Sequence, residues 1–273
     1  MKQKLLGIFA LLAVVLAFAP ASAFAQVPLG TSNTFGVLGG STVTNTGATA
    51  VNGNVGVSPG TEVTGFPPGV VVGGVIHAGN ATAAQAQTDL TAAYNFAVSI
   101  ACTANLTGQD LGTQTLTPGV YCFDSSAGLT GILTLDLQGD PNAFFLFKMG
   151  STLTTASGSS VVLANSGGTT CPQNINWQVG SSATFGTNSA FIGNVLALTS
   201  ITLTTNANLN GRALARNGAV TLDSNVITPC GALVPGPPAP PVPPAIPALD
   251  FLGLAILIAI LGAAGLFVMN RGA

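Results

Sequence analysis

Few residues in this chain could do covalent chemistry. His77 is the only histidine, and it lies far in sequence from any cysteine or carboxylate pair. It follows Val75 and Ile76 near an expected helix entry, so its expected role is packing or capping. Asp136 and Asp140 could be imagined as a general acid and base. They fall in or beside a strand-turn over 135–141, where aspartate is simply a good turn residue. Serines abound, but none has a base in reach to activate it, so the hydrolase pattern fails. Gly39-Gly40 and Gly73-Gly74 are not phosphate loops, because neither opens a helix behind a strand with a lysine. No enzyme and no cofactor are expected.

The four cysteines are Cys102, Cys122, Cys171 and Cys230. A zinc site would need a close Cys-x-x-Cys pair or a histidine partner, and neither is present. An even number in an exported chain reads as two disulfides. Three pairings are possible. Cys102–Cys122, closing a short loop, and Cys171–Cys230, tying the end of the domain to its body, are favoured. No metal is expected.

Positioning comes from a repeat. Trp177 to Phe185 can be written above Val195 to Leu203 with apolar positions under apolar ones, an offset of about 18 residues. Phe191 and Gly193 then fall above Leu209 and Gly211, and Val220-Thr221-Leu222 continues one step on. Upstream, Ser151-Thr152-Leu153 and Ser41-Thr42-Val43 repeat the pattern, with an inserted loop around 165–174. Short alternating strands with Gly and Asn at the corners make each period one coil of a β-solenoid. The fold class is therefore mainly β. One segment differs: residues 80–102 place Ala86, Leu90, Ala93, Ala97 and Ile100 at helical spacing, with Asn80 or Thr82 as N-cap. It reads as one long α-helix lying along the solenoid.

The two ends are read separately. Residues 1–25 carry Lys2 and Lys4, an apolar run and Ala23-Phe24-Ala25, the three parts of a removable export signal. Residues 26–230 form the domain. A proline-rich stretch over 231–245 is a semi-rigid spacer. In the tail, 246–273, an apolar run long enough to cross a bilayer ends near Arg271. The tail is expected to be a membrane helix holding an exported protein at the cell surface. Ile246-Pro247-Ala248-Leu249 within it resembles the Ile-Pro-Thr-Leu relative of the Pro-Glu-Pro bacterial sorting signals, which implies a sorting transpeptidase as partner. Ala248 replaces the threonine of that motif, and the basic cluster is reduced to Arg271.

Phe35-Gly36-Val37-Leu38, the run from Asn52 to Gly60, Leu116-Thr117-Pro118-Gly119-Val120-Tyr121, Gly193-Asn194-Val195-Leu196-Ala197 and Asn210-Gly211-Arg212-Ala213-Leu214-Ala215 together make the chain similar to the microbial ice-binding protein family. The likeness runs from about Leu29 to Cys230. It implies a right-handed irregular β-solenoid, triangular in section, whose N-terminal coil packs beside the C-terminal coils. It also implies that one uncovered face binds ice.

The residues supply such a face. Thr42-Val43-Thr44, Thr152-Leu153-Thr154 and Thr202-Leu203-Thr204 each set two threonines outward around one inward side chain. Thr184 and Thr221 fall in the same column, with Gly186 and Asp223 beside them, and Thr130 continues it. Along a strand such threonines recur at roughly 6.5–7 Å, and between coils at about 4.7–4.9 Å. The expected partner is ice, or water ordered on these nine threonines. A corner set, 46–49 and 205–208, ranks second because corners are less flat.

Composition removes other classes. Within 26–230 the cations are Lys148, Arg212 and Arg216 against seven carboxylates, so nucleic-acid binding lacks a basic patch. A carbohydrate-cleaving solenoid would need carboxylates clustered on a groove. The competing function is a cell-surface adhesin or matrix module that is not specific for ice. The domain is expected to be monomeric.

Overall fold

The computed structural model describes residues 26–231. Strands β1 (Phe35–Gly39), β2 (Thr42–Thr46) and β3 (Ala50–Asn52) make the first coil. The next holds β4 (Asn54–Val57), β5 (Glu62–Thr64) and β6 (Val70–Val72), and β7 (Ile76–Ala78) stacks on β4 to begin another. Helix α1 (Ala81–Ser99) interrupts the winding. The chain then resumes with β8 (Ala104–Asn105), β9 (Thr115–Leu116), β10 (Gly119–Phe123), β11 (Ala127–Leu129) and β12 (Ile132–Asp136). It continues through β13 (Phe145–Met149), β14 (Leu153–Thr155), β15 (Ser160–Ala164), β16 (Ile175–Val179), β17 (Ala183–Phe185) and β18 (Ala190–Ala197). The last are β19 (Ile201–Leu203), β20 (Asn208–Ala215), β21 (Val220–Asp223) and β22 (Val226–Ile227).

These strands stack in parallel register on three faces. One face is a separate sheet in the order β11-β14-β17-β19-β21-β2-β5. A second runs β7-β4-β1-β20-β18-β16-β13-β10-β8 beneath α1, and the third joins β6, β3, β22, β20, β18, β15, β12 and β9. Strands β18 and β20 serve two faces because each bends midway. Ala190 pairs with Ser160 on the third face, while Asn194 pairs with Asn176 on the second. Gly193 (φ 118°) and Gly211 (φ 156°) sit at the bend, and a Cβ on Gly211 would lie 1.9 Å from the Gly193 carbonyl oxygen. Only glycine fits there.

Chain order is not stacking order. β1, β2 and β3 pair with β20, β21 and β22 on one side, and with β4, β5 and β6 on the other. The first coil is thereby inserted beside the last. The expected repeat holds in the C-terminal coils, where the hydrogen-bonded Asn176, Asn194 and Arg212 are 18 residues apart. Upstream the interval lengthens, as where residues 165–174 loop out between β15 and β16.

Alternation drives the interior. Val43, Leu153, Ala183, Ile201 and Val220 point inward and are buried, and Val37, Val55 and Val195 do the same from the second face. Aromatic rings fill the middle: Phe147 stacks on Trp177 at 3.9 Å, Trp177 meets Phe191 at 4.6 Å, and Phe191 meets Phe185 at 4.7 Å. Trp177 is wholly buried and gives its Nε1–H to the Ile192 carbonyl at 2.9 Å, so its one polar group is satisfied.

Helix α1 is shorter than the 80–102 expected. It ends at Ser99 because Ile100 is extended, and Lys148 Nζ donates to the Val98 and Ile100 carbonyls at 2.7 and 2.6 Å. A cation on the last carbonyls is the arrangement a helix C-terminus favours. Asn80 is the N-cap, its Oδ1 accepting from Ala83 N–H at 3.0 Å. The expected stripe is buried at Ala86, Leu90, Ala93 and Ala97, and Ile100 is half-buried against the same cluster. It packs over Leu38, Leu146, Leu196 and Leu214, the outward residues of the second face. Buried Asp89 accepts from Thr31 N–H and Oγ1 at 2.7 and 2.6 Å, locking residues 30–34 to the helix.

Both favoured disulfides are present, Cys102–Cys122 and Cys171–Cys230. The export signal, the spacer beyond residue 231 and the apolar tail lie outside the described residues. Among the described residues no helix is long and apolar enough to cross a membrane.

Candidate functional site

Among the described residues nothing covers the seven-stranded face, and its register builds the candidate site. Thr154 on β14 lies opposite Thr184 on β17, and Thr184 opposite Thr202 on β19. Thr202 is level with Thr221 on β21, then Thr44 on β2, then Thr64 on β5. Gly128 on β11 ends the row. Six threonines thus form one unbroken column across adjacent strands. Each follows an inward apolar residue along its strand, buried in five cases and half-buried at Val63, which holds the column to one plane.

The nine threonines expected from sequence all reach this sheet or its rim, in three columns rather than one grid. Thr44, Thr154, Thr184, Thr202 and Thr221 are central. Thr42 and Thr152 stand two residues earlier, beside Ser126, Ser182, Ser200 and Ala219. Thr130 and Thr204 stand two residues later, beside Ala156, Gly186, Asp223 and Thr46. The three Thr-x-Thr motifs are therefore out of phase. In Thr42-Val43-Thr44 and Thr152-Leu153-Thr154 the second threonine is central, whereas in Thr202-Leu203-Thr204 it is the first. The reason is that strand pairing, not motif alignment, fixes which residue is level with which.

Hydrogen bonding separates the columns further. The hydroxyls of Thr64, Thr154, Thr184 and Thr202 make no hydrogen bond to another described residue, and Thr44 and Thr221 bond only each other, at 3.4 Å. Most flanking threonine hydroxyls are used within the protein, Thr42 being the exception with no hydrogen bond to another described residue. Thr130 Oγ1 donates to Asp110 Oδ2 at 3.1 Å, Thr152 Oγ1 to Ser126 Oγ at 3.0 Å, and Thr204 Oγ1 to the Phe185 carbonyl at 2.7 Å. Free hydroxyls thus concentrate on the middle line.

Charge stays at the margins. Glu62 occupies the edge strand β5. Asp223 turns toward the corner, where its carboxylate accepts from Thr205 Oγ1 at 2.5 Å and Ser224 Oγ at 3.0 Å. Asp110 lies beyond the opposite end, capping the edge by accepting from Gly112 N–H at 2.7 Å and Thr130 N–H at 2.9 Å. The face therefore presents methyls, hydroxyls and no central ionic group.

The other faces offer less. α1 covers the second. The third exposes Val70, Val72, Val226 and Ile132 among asparagines, and no residue type persists down any of its columns. The corner set is broken as a surface: Thr46, Ala48, Thr205, Asn206 and Asn208 are exposed, but Thr49 and Ala207 are wholly buried and Thr49 Oγ1 accepts from Asn225 N–H at 3.1 Å.

Residues considered for chemistry have structural partners. His77 Nδ1 lies 3.1 Å from Asn80 Nδ2, and its ring packs 5.5 Å from Phe35, so it braces the helix cap. Asp136 and Asp140 accept from the backbone N–H of Gln138 and Asn142 at 2.9 and 2.8 Å, closing turns. The Gln138 amide and then the Asn165 side chain hold the Asp136 carboxyl below the usual carboxylate range. Among the described residues no three His, Cys, Asp or Glu side chains are grouped to hold a metal.

Sequence reasoning missed Thr64 and the end of the row at Gly128. The signal for Thr64 was present: Glu62-Val63-Thr64 repeats Thr42-Val43-Thr44, with glutamate for the first threonine.

The family model described as ice-binding-like matches residues 37–228. The chain is 58% identical over 201 residues to an ice-binding protein of Nostoc sp. (strain HG1), covering 73% of each chain. Among solved structures, an ice-binding protein from an Antarctic biological consortium superimposes with a TM-score of 0.72 at 46% identity, over 76% of this chain and 93% of that one. The ice-binding protein of the Antarctic ascomycete Antarctomyces psychrotrophicus gives a TM-score of 0.72 at 40% identity, over 76% of this chain and 100% of the other.

Proposed function

The chain belongs to the ice-binding-like family, and from that premise we propose that it adsorbs to ice through the threonine face. The observation that carries the assignment is the column Thr154–Thr184–Thr202–Thr221–Thr44–Thr64, level on six adjacent strands. Adjacent strands set its residues about 4.7–4.9 Å apart, with the Thr44 and Thr221 hydroxyls leaning together to 3.4 Å. Two waters bonded tetrahedrally to a shared third water are about 4.5 Å apart, given an O–H···O distance near 2.75 Å. The column can therefore hold waters at nearly the separation that ice uses. The methyls beside them make few demands on water orientation, so the held layer can join a growing crystal plane. A central charge would bind its own hydration shell and oppose that, which is why Glu62 and Asp223 at the margins matter.

Each such contact is weak, and adsorption comes from many made together on a rigid plane. Rigidity comes from the stacked interior and from α1 packed on the second face. Ice-affinity partition tests the reading directly, since the exported protein should enrich in slowly grown ice. Exclusion from ice with retention on a polysaccharide or cell surface would mean an adhesin instead.

The sequence of 1–25 supports export with cleavage between Ala25 and Gln26. That of 246–273 supports retention at the cell surface by an apolar tail, with sorting at Ile246-Pro247-Ala248-Leu249. Protease protection and the mass of the mature C-terminus distinguish an intact anchor from a processed one.

A further inference from the structure

We propose that Gln26 of the exported protein becomes a pyroglutamate, closing the mature N-terminus as an uncharged lactam. This rests on the reading of 1–25 as a signal cut after Ala25. The structure adds what surrounds the new terminus. Val27 and Leu29 are buried in the apolar layer under α1, so they clamp the segment to the domain. Gln26 is exposed, and its side-chain amide makes no hydrogen bond to a described residue. It is therefore free to fold back on its own main chain.

Gln26 lies at a cleft of about 140 Å³ that Asn33, Gln173, Asn194 and Arg212 also line, and no carboxylate does. Arg212 is 1% exposed. Its Nε donates to the Asn33 carbonyl at 2.9 Å, and its Nη1 to Asn194 Oδ1 at 2.9 Å and the Cys230 carbonyl at 3.2 Å. Its Nη2 has no hydrogen-bond partner among the described residues. Burial lowers the guanidinium pKa only to about 10, so it remains a cation at neutral pH.

Cleavage would place an α-ammonium at that cleft. Two cations facing one cavity without a carboxylate disfavour each other's charge. The guanidinium cannot yield. The α-amine, with an ordinary pKa near 8, is the group driven toward its neutral form. Neutral amine is the nucleophile that cyclisation needs. Its nitrogen attacks Cδ of the same residue's carboxamide, the N–Cδ bond forms, and the Cδ–Nε2 bond breaks. Ammonia leaves, carrying the proton lost by the amine. No oxidant, reductant or cofactor enters the balance. The product removes a positive charge from beside Arg212 and denies aminopeptidases a free terminus.

The test uses the full chain exported by a bacterial host. Its N-terminal peptide is sequenced by mass spectrometry at intervals after recovery. The expected peptide starts at residue 26, is lighter by one ammonia, and becomes accessible to Edman degradation only after pyroglutamyl aminopeptidase. A peptide that keeps an open Gln26 throughout overturns the cyclisation while leaving export and cleavage intact. A peptide beginning at any other residue overturns the cleavage reading as well. A free peptide of residues 26–34 in the same buffer should cyclise more slowly than the folded protein. Equal rates would remove Arg212 from the explanation.

Discussion

Thr44 and Thr221 stand side by side on the threonine face, hydroxyl oxygens 3.4 Å apart, although 177 residues separate them in the chain. Their contact joins the first coil to the last. Without it the column would stop at Thr221, and Thr44 and Thr64 would have no neighbours to extend. The threonine plane therefore depends on closure of a long loop in the chain.

Thr202 sits at the middle of that plane, between Thr184 and Thr221. Thr202→Tyr should abolish most thermal hysteresis and crystal shaping while circular dichroism stays unchanged, because the added bulk points outward. Thr64→Tyr, on the edge strand, should cost much less. If Thr202→Tyr retains full activity, this face does not bind ice.

Central and flanking hydroxyls should respond oppositely to loss. Thr184→Val removes a hydroxyl with no protein partner, so hysteresis should fall with little change in melting temperature. Thr204→Val removes the donor to the Phe185 carbonyl, and should cost about 1 kcal/mol of stability with a smaller effect on ice. Urea unfolding and hysteresis measured on both variants give the comparison.

Activity should be almost independent of pH between about 5 and 9, because the face centre carries no titrating group. Stability should change on acidification. The Asp136 carboxyl titrates below its usual range in the folded chain, so its contribution is complete above the usual carboxylate pKa and is lost as pH falls through the lowered value. Asn165→Ala should raise that pKa only part of the way back, because the Gln138 amide is the larger cause. A carboxyl NMR titration reads both effects.

The disulfides differ in reach, with sequence separations of 20 for Cys102–Cys122 and 59 for Cys171–Cys230. On chain entropy their loss should cost about 3 and about 4 kcal/mol respectively. Removing Cys171–Cys230 should cost still more if Arg212 then loses the Cys230 carbonyl it bonds. Denaturant midpoints of the paired Cys→Ser variants test the order.

Much of this was legible before any coordinates. Inward alternation of Val43, Leu153 and Leu203 marked the strands, and the return of Trp177–Phe185 in Val195–Leu203 and of Phe191 and Gly193 in Leu209 and Gly211 marked the coil, because local sterics and burial act on neighbours in sequence. The spacing of Ala86, Leu90, Ala93 and Ala97 marked the helix for the same reason. Its end did not show, since Lys148 reaches the last carbonyls from β13.

What the sequence by itself determined was the inward and outward alternation of the strands, nine of the outward threonines and the pairing of the cysteines. Only the tertiary structure decided which threonines share a line, which hydroxyls are free, and that Thr64 completes the row. The physical reason is that levels across a parallel stack are set by hydrogen bonds between distant strands and by loops of unequal length. Neither leaves a fixed spacing along the chain.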